Sequence, residues 1–149
     1  MPIGVAVSGP QSCRIAGELA DVMIGVEPDA SLGEQFDAAG GAGKPRIGQM
    51  PVCFDTDRAA AVTRAHTLFR WSGLGWKVNA ELPVPAAFDE ASSFVREEDV
   101  AENVPCGGDV GAVIEAARAY ADAWYTHLAV VQIGGDQQAR RSSSGAGPG

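Results

Sequence analysis

Short apolar runs alternate with amphipathic stretches over the first fifty residues of this chain. The first run, Ile3 to Val7, breaks at Ser8-Gly9-Pro10, and the second covers Val22 to Val26. Between them Ile15, Ala16, Leu19 and Ala20 recur at helical spacing, which predicts a core-facing helix. Neither run alternates with polar residues, so the pattern predicts parallel strands that are buried on both faces. This strand, helix, strand unit indicates an α/β fold.

The rest of the chain continues the alternation. Residues 46–54 predict a third strand, and Asp55-Thr56-Asp57 supplies a cap for a helix whose core face is Ala61, Val62, Ala65, Leu68 and Phe69. Residues 127–133 predict a fourth strand, which Gly134-Gly135 closes. The pattern therefore predicts four strands, half of an eight-stranded β/α barrel.

The clearest helical pattern precedes the fourth strand. Its apolar positions are Val110, Val113, Ile114, Ala117, Tyr120, Ala121 and Trp124, and Asp109 is placed to cap it. A shorter helix is predicted over residues 31–39, with Leu32, Phe36 and Ala39 inward. Residues 70–85 have no clear period, so they predict a long irregular segment. Trp71 and Trp76 either anchor this segment on the core or belong to a functional loop.

Several chemistry-bearing patterns have structural explanations. Gly43-Lys44 lacks the Ser/Thr and following helix of a phosphate-binding P-loop, so it predicts a connecting loop. His66 has no carboxylate or nucleophile at a readable spacing and predicts a structural side chain. Residues 81–102 carry seven acidic residues against one arginine, which is typical of a solvated helical face with a short buried stripe, Phe88, Ala91, Phe94 and Val95.

Composition narrows the function classes. The chain has 149 residues, 46% of them hydrophobic, and a net charge of −8, which disfavours binding to nucleic acid. No signal peptide or membrane span is evident, so the cytoplasm is the expected location. Cys13, Cys53 and Cys106 have neither disulfide-framework nor zinc-site spacing, and no metal site is predicted.

Six segments in combination resemble a known family. They are Ser8 to Gln11, Asp21 to Asp29, Ala38 to Pro45, Glu81 to Pro83, Val95 to Val100 and His127 to Asp136. Together they resemble the C-terminal half of luciferase-like oxidoreductases, in the branch similar to glucose-6-phosphate dehydrogenases that use the deazaflavin coenzyme F420. The resemblance covers about residues 3–136, so residues 1–135 are predicted to form this half-barrel and residues 136–149 a disordered tail.

The resemblance implies a partial TIM (β/α)8 barrel, with about the last four strands and their helices. It implies hydride transfer between F420 and an organic substrate, with FMN as the alternative cofactor, and a site at the carboxyl ends of the strands. The cofactor-binding residues carried over are Ser8, Gly9, Gln11 and Ser12. A glycine turn before a helix N-terminus suits a phosphate-bearing ligand, although a simple strand-to-helix turn explains the same residues.

The chain also departs from the family pattern. Sugar-phosphate-binding members use two lysines and an arginine, and here Asp29 and Asn103 replace the first lysine and the arginine, leaving Lys77 as the predicted substrate contact. Glucose 6-phosphate is therefore a poor substrate prediction. The family's catalytic histidine and glutamate belong to the other half of the barrel, so no catalytic residue is assigned, and the family's final helix is replaced by the tail.

Three functions stay open at this level. One is the cofactor-binding half of a deazaflavin-dependent oxidoreductase, active only with a partner half or as a remnant of a longer enzyme. Its expected partners are the deazaflavin, a small-molecule substrate, and either a missing N-terminal half or further copies in a homo-oligomer. The second is a noncatalytic module that binds cofactor or another subunit. The third is an inactive truncated fragment.

Overall fold

The structure, a computed structural model, describes residues 1–134, apart from the side chain of Trp76. Its elements in chain order are β1 (Gly4–Val7), α1 (Pro10–Leu19), β2 (Val22–Gly25), α2 (Ala30–Phe36) with a π-helical turn at Asp37–Gly41, β3 (Arg46–Val52), α3 (Arg58–Phe69) with a 3-10 turn at Arg70–Leu74, α4 (Trp76–Asn79), α5 (Pro85–Ala91), α6 (Glu97–Asn103), α7 (Val110–Asp122) and β4 (His127–Gln132). The predicted disordered tail, residues 136–149, lies outside the described residues.

The four strands form one sheet in chain order, β1-β2-β3-β4. β1 pairs with β2 in parallel, placing Val5 opposite Met23, and β2 pairs with β3 in parallel, placing Ile24 opposite Ile47. The predicted α/β architecture and the four predicted strands are confirmed, and the sheet is the four-stranded part of a TIM barrel. Parallel neighbours need a crossover, and α1 and α2 provide the first two.

The chain divides into two compact units. The first comprises residues 1–50 and 109–131, and its core joins β1, β2, α1 and α2 through Val7, Cys13, Ala16, Ala20, Met23, Leu32 and Phe36. The second comprises residues 51–108 with residues 132–134, and its core is Cys53, Ala61, Ala65, Val95, Val100, Val104 and Ile133.

Helix caps follow the prediction. The Asp57 carboxylate accepts hydrogen bonds from the N–H groups of Ala59 and Ala60, and Asp109 does the same for Gly111 and Ala112. Each carboxylate satisfies backbone donors that a first helical turn leaves free. The starts of α3 and α7 are therefore encoded locally.

The predicted buried faces are only partly correct. On α1, Ala16 is buried but Ile15 and Leu19 are exposed, and Ala20 just after the helix is buried. On α7, Tyr120 is buried while Val110 and Ile114 are exposed, and Trp124, two residues beyond the helix, is exposed as well. The strands were predicted to be buried on both faces, yet β2 alternates between buried and half-buried residues. Helical and strand periods specify a face, but the area that neighbours cover decides how much of it is buried.

The segment at residues 70–85 was wrongly predicted to be irregular. It contains the 3-10 turn Arg70–Leu74 and the short helix α4. Trp71 packs with its ring centroid 4.5 Å from that of Phe69 and 6.3 Å from that of Phe88, so this tryptophan anchors the segment. Downstream, Val95 is buried as predicted, whereas Phe94 is 75% exposed.

Candidate functional site in the β1–α1 turn

Four of the five predicted site residues lie together where β1 leads into α1: Ser8 and Gly9 between the two elements, and Gln11 and Ser12 in the first turn of the helix. The Ser12 hydroxyl oxygen accepts hydrogen bonds from the N–H groups of Ser8, at 3.0 Å, and Gly9, at 3.2 Å. The same hydroxyl donates to the Gly9 carbonyl oxygen at 2.9 Å. Ser12 therefore ties the turn to the first turn of the helix and already occupies the backbone donors of Ser8 and Gly9.

The first turn of α1 leaves two backbone donors available. Pro10 has no N–H, and the N–H of Cys13 donates to the Gly9 carbonyl at 3.0 Å. Within residues 1–134 no protein acceptor bonds the N–H groups of Gln11 or Ser12. No acidic residue lies in this turn of the helix. Free donors and the positive end of the helix dipole together favour an anion here.

Gly9 leaves open space beside its backbone. A Cβ atom placed on Gly9 would have no heavy atom within 4 Å apart from its chain neighbours. Its φ of 176° is extended backbone that any residue adopts, so conformation does not require glycine here. A ligand can therefore approach this backbone closely, and a side chain at this position would enter the same space.

One carboxylate acts on the helix that starts at this turn. Asp29 caps α2 by accepting a hydrogen bond from the N–H of Ser31 at 2.9 Å. Burial, and to a lesser extent the negative charge of Asp29, raises the pKa of the Cys13 thiol on α1. Asp29 thus caps α2, and its negative charge acts on Cys13 in α1.

Two tyrosines bond through their hydroxyls to the backbone that follows β2. The Tyr125 hydroxyl donates to the Glu27 carbonyl oxygen at 3.0 Å, and the Tyr120 hydroxyl donates to the Val26 carbonyl oxygen at 2.9 Å. Burial, followed by the effects of Tyr120 and Asp29, raises the pKa of Tyr125 to about 12. A Cβ on Gly25 would overlap the Tyr125 hydroxyl. The close approach of this ring to β2 therefore requires glycine at position 25.

Lys77, the fifth predicted site residue, belongs to the second unit. It is exposed on α4, whereas Ser8, Gly9, Gln11 and Ser12 belong to the first unit. Asn103, which the resemblance placed at a family arginine, ends α6 and donates its side-chain N–H to the Asp99 carbonyl oxygen at 2.9 Å. Asp29 and Asn103 thus each make a local hydrogen bond, Asp29 as the cap of α2 and Asn103 within α6.

The glycine-lysine pair at residues 43–44 is structural. The Lys44 ammonium donates to the carbonyl oxygens of Gly17 at 2.7 Å and Ala20 at 3.0 Å, at the carboxyl end of α1. A cation at this end satisfies orphan carbonyls and complements the helix dipole. The predicted connecting loop is confirmed, and the lysine already has its partners.

His66 also makes a structural contact, as predicted. Its Nε2 atom lies 2.7 Å from the carbonyl oxygen of Val95. The three cysteines are free thiols, and burial raises the pKa of each, which is typical of inert rather than reactive cysteines. Over residues 1–134 no cluster of three potential metal ligands occurs, and no helix is long and apolar enough to cross a membrane.

The first unit also contains a cleft that no sequence pattern indicated. It encloses about 420 Å³ and is lined in part by Asp37, Lys44, Arg46, Trp124 and Thr126. Arg46 pairs with Asp37, and Lys44 is bonded to helix carbonyls, so both cations of the cleft are already paired. The β1–α1 turn remains the better supported candidate because its donors are free.

Comparisons with known proteins point to one class of enzyme. The chain is 30% identical over 152 residues to an F420-dependent glucose-6-phosphate dehydrogenase of Nakamurella multipartita, covering 93% of this chain and 44% of the relative. No protein-family model matches the chain. The chain resembles part of an F420-dependent oxidoreductase.

Solved structures of F420-dependent enzymes share the fold. An F420-dependent secondary alcohol dehydrogenase, solved with an F420-acetone adduct, aligns with a TM-score of 0.74 and 18% identity over 93% of this chain and 45% of its own. The F420-dependent tetrahydromethanopterin reductase of Methanopyrus kandleri aligns with a TM-score of 0.60 and 18% identity over 89% of this chain and 45% of its own. The chain thus spans less than half the length of these relatives.

Proposed function

We propose that this chain supplies the cofactor-binding part of an F420-dependent oxidoreductase. F420 would carry the hydride, and the chain would hold the phosphate-bearing part of the cofactor at the β1–α1 turn. The observation that carries the proposal is the turn itself, in which open space beside Gly9 adjoins two unpaired backbone donors at a helix N-terminus. The relatives' dependence on F420 supports the choice of cofactor.

The four turn residues would have different roles. The N–H groups of Gln11 and Ser12 would donate to phosphate oxygens, and the Ser8 hydroxyl would lie beside them. Gly9 would admit the cofactor to the backbone. Ser12 would in addition hold the turn in shape, since its hydroxyl already bonds to the backbone of Ser8 and Gly9.

We also propose that the substrate is an organic molecule other than a sugar phosphate. Recognition of a dianionic phosphate needs several cations, and the chain has Asp29 and Asn103 at two of the three family positions. Lys77 alone remains for an anionic or polar group of the substrate. The exposed position of Lys77 on α4 leaves its ammonium accessible to such a group.

A fluorescence titration of F420 into the purified chain tests the proposal. We expect saturable binding of F420 and weaker binding of FMN, measured in parallel. Tighter binding of FMN would reassign the cofactor to a flavin. Absence of binding to either, in a sample with a cooperative unfolding transition, would refute a cofactor site in this chain.

The variant Asp29→Asn should bind F420 more tightly. Asparagine caps a helix as well as aspartate does, so α2 should remain intact while a negative charge near the anion site disappears. Removing one unit charge from α2 should tighten the Kd roughly 2- to 5-fold at low salt. The gain should shrink as salt is added, because salt screens exposed charges.

A matched control removes the same charge elsewhere on the adjoining helix. Glu18 is exposed in the last turn of α1, at the end away from the cofactor turn. Glu18→Gln should therefore leave the Kd for F420 unchanged. Equal gains in both variants would show that the net charge of the chain, rather than Asp29, opposes the cofactor.

A further inference from the structure

The cleft of the first unit lies at the opposite end of the sheet from the β1–α1 turn. It has a volume of about 420 Å³, and its lining includes Arg46, the first residue of β3, and Thr126, which directly precedes β4. The β1–α1 turn follows the carboxyl end of β1, and β1, β2 and β3 run parallel. The cleft therefore lies at the amino ends of the strands, and its volume is in the range that holds small molecules.

Trp124 lines this cleft in a backbone conformation that is typical of glycine. Among residues 1–134 it is the only residue other than glycine with a positive φ, at 64°. Its N–H donates to the Ala121 carbonyl oxygen at 3.0 Å, and the N–H of Tyr125 donates to the Tyr120 carbonyl oxygen at 3.1 Å. These two bonds form the Schellman motif, in which glycine usually takes the left-handed position because a Cβ there crowds the following carbonyl oxygen. The backbone of this turn therefore favours glycine over tryptophan.

The indole ring of Trp124 gains little from the packing of the first unit in return. Over residues 1–134 this residue is 75% exposed, and no aromatic ring among the described side chains packs against it. Neither burial nor backbone conformation thus explains a tryptophan at this position. Strained backbone of this kind clusters at ligand-binding positions, and the face of an indole attracts cations. Trp124 is therefore suited to contact a ligand in the cleft.

The charged residues that line the cleft include a carboxylate without an ionic partner. Arg46 pairs with Asp37, and the Lys44 ammonium bonds to two carbonyl oxygens at the end of α1. The buried Oδ1 atom of Asp37 has no hydrogen-bond partner within residues 1–134. Glu34 is exposed on α2 and forms no ion pair with any residue that the structure describes. The charge left free in the cleft is therefore negative, and it favours a cation over an anion.

We infer that the cleft binds an organic ammonium ion whose apolar body lies against the indole of Trp124. Glu34 pairs with the ammonium group, and the indole face supplies cation–π and apolar contact. A phosphate or carboxylate ligand is disfavoured, because Arg46 and Lys44 are already held by Asp37 and by helix carbonyls. This site does not depend on the proposed cofactor turn, which lies at the other end of the strands.

Three probes with the same aromatic body test the charge preference: benzylammonium, benzyl alcohol and benzoate. Each is titrated into the isotope-labelled chain, and the indole N–H signals of its three tryptophans are followed by NMR. We expect benzylammonium to shift the Trp124 signal saturably, with a Kd at least about 3-fold below that of benzyl alcohol, and benzoate to bind most weakly. Tighter binding of benzoate, or a Trp124 signal that no probe moves, would overturn the inference.

Trp124→Gly separates a ligand-binding role of the indole from a structural one. Glycine adopts a φ of 64° without strain, so the variant should have a thermal midpoint about 2–5 °C higher than the wild type. It should also lose the saturable binding of benzylammonium, which the backbone N–H signal of Thr126 in the cleft reports. Trp124→Phe keeps an aromatic face in the same strained position, so it should retain binding without the gain in stability. A lower thermal midpoint or unchanged binding in Trp124→Gly would overturn the inference.

Glu34→Gln tests the carboxylate. The variant should reduce the preference for benzylammonium over benzyl alcohol at least about 2-fold, and added salt should reduce it in the wild type. The matched control is Glu115→Gln, which removes an exposed carboxylate from α7, more than two helical turns before Trp124 and outside the lining of the cleft. This control should keep the wild-type preference. Equal changes in both variants would show that the net charge of the chain selects the cation, and would overturn the pairing with Glu34.

Discussion

Gly9→Asp should abolish binding of F420 while leaving the fold at least as stable as in the wild type. The aspartate would put bulk and negative charge into the open space beside the two free N–H donors of α1. Gly9 is also the residue that caps α1, and aspartate is a better cap than glycine by a few tenths of a kcal/mol. The expected loss of affinity is at least about 100-fold, or ~2.7 kcal/mol.

Two further variants separate bulk from charge. Gly9→Asn has nearly the size of aspartate without its charge, and Gly9→Ala adds only a Cβ, which meets no neighbour in the free protein. Affinity for F420 measured by fluorescence should fall in the order glycine, alanine, asparagine, aspartate. Unchanged affinity in Gly9→Asp, with a normal thermal transition, would remove Ser8 to Ser12 from the cofactor site.

Gly25→Ala should lower the free energy of unfolding substantially, in contrast to Gly9→Ala. Its new Cβ would overlap the Tyr125 hydroxyl, with the Tyr125 ring carbons Cζ at 2.9 Å and Cε1 at 3.0 Å. Tyr125 cannot withdraw freely because its hydroxyl is bonded to the Glu27 carbonyl. Overpacking of this kind costs about 1–3 kcal/mol, which urea denaturation would measure as a lower midpoint.

The double variant Gly25→Ala/Tyr125→Phe tests the cause. Removing the hydroxyl takes away the closest overlapping atom. The double variant should therefore lose less free energy of unfolding than the sum of the losses in Gly25→Ala and Tyr125→Phe, each measured separately. Gly9→Ala is the control, because a Cβ there meets nothing within 4 Å. Strictly additive free-energy changes would show that the cost at position 25 arises away from Tyr125.

The helix starts and the strands were predictable because their causes are local. Asp57 and Asp109 cap α3 and α7 with their own carboxylates, two and three residues from the donors they satisfy. The short apolar runs predicted parallel strands because a strand that is covered on both faces carries apolar residues at successive positions. The family resemblance, which rested on six segments in combination, is confirmed by the F420-dependent relatives.

The role of single side chains was less predictable. Lys44 looks like part of a phosphate loop in sequence, yet its ammonium bonds to the carbonyls of Gly17 and Ala20, which lie more than twenty residues away in the chain. Ser12 was predicted as a cofactor ligand, and its hydroxyl also holds the turn through Ser8 and Gly9. The binding role itself remains a prediction.

Four features of this protein follow from the amino-acid sequence without further information: the α/β class, the four strands, the main helix caps and the glycine turn between a strand and a helix. They depend on periodicity and on hydrogen bonds between residues close in the chain. The identity of the buried apolar residues, by contrast, came from the packing of distant elements. Ile15, Val110, Ile114 and Phe94 stay exposed because burial depends on whether another element covers the face, and a pattern along one segment does not specify its neighbours.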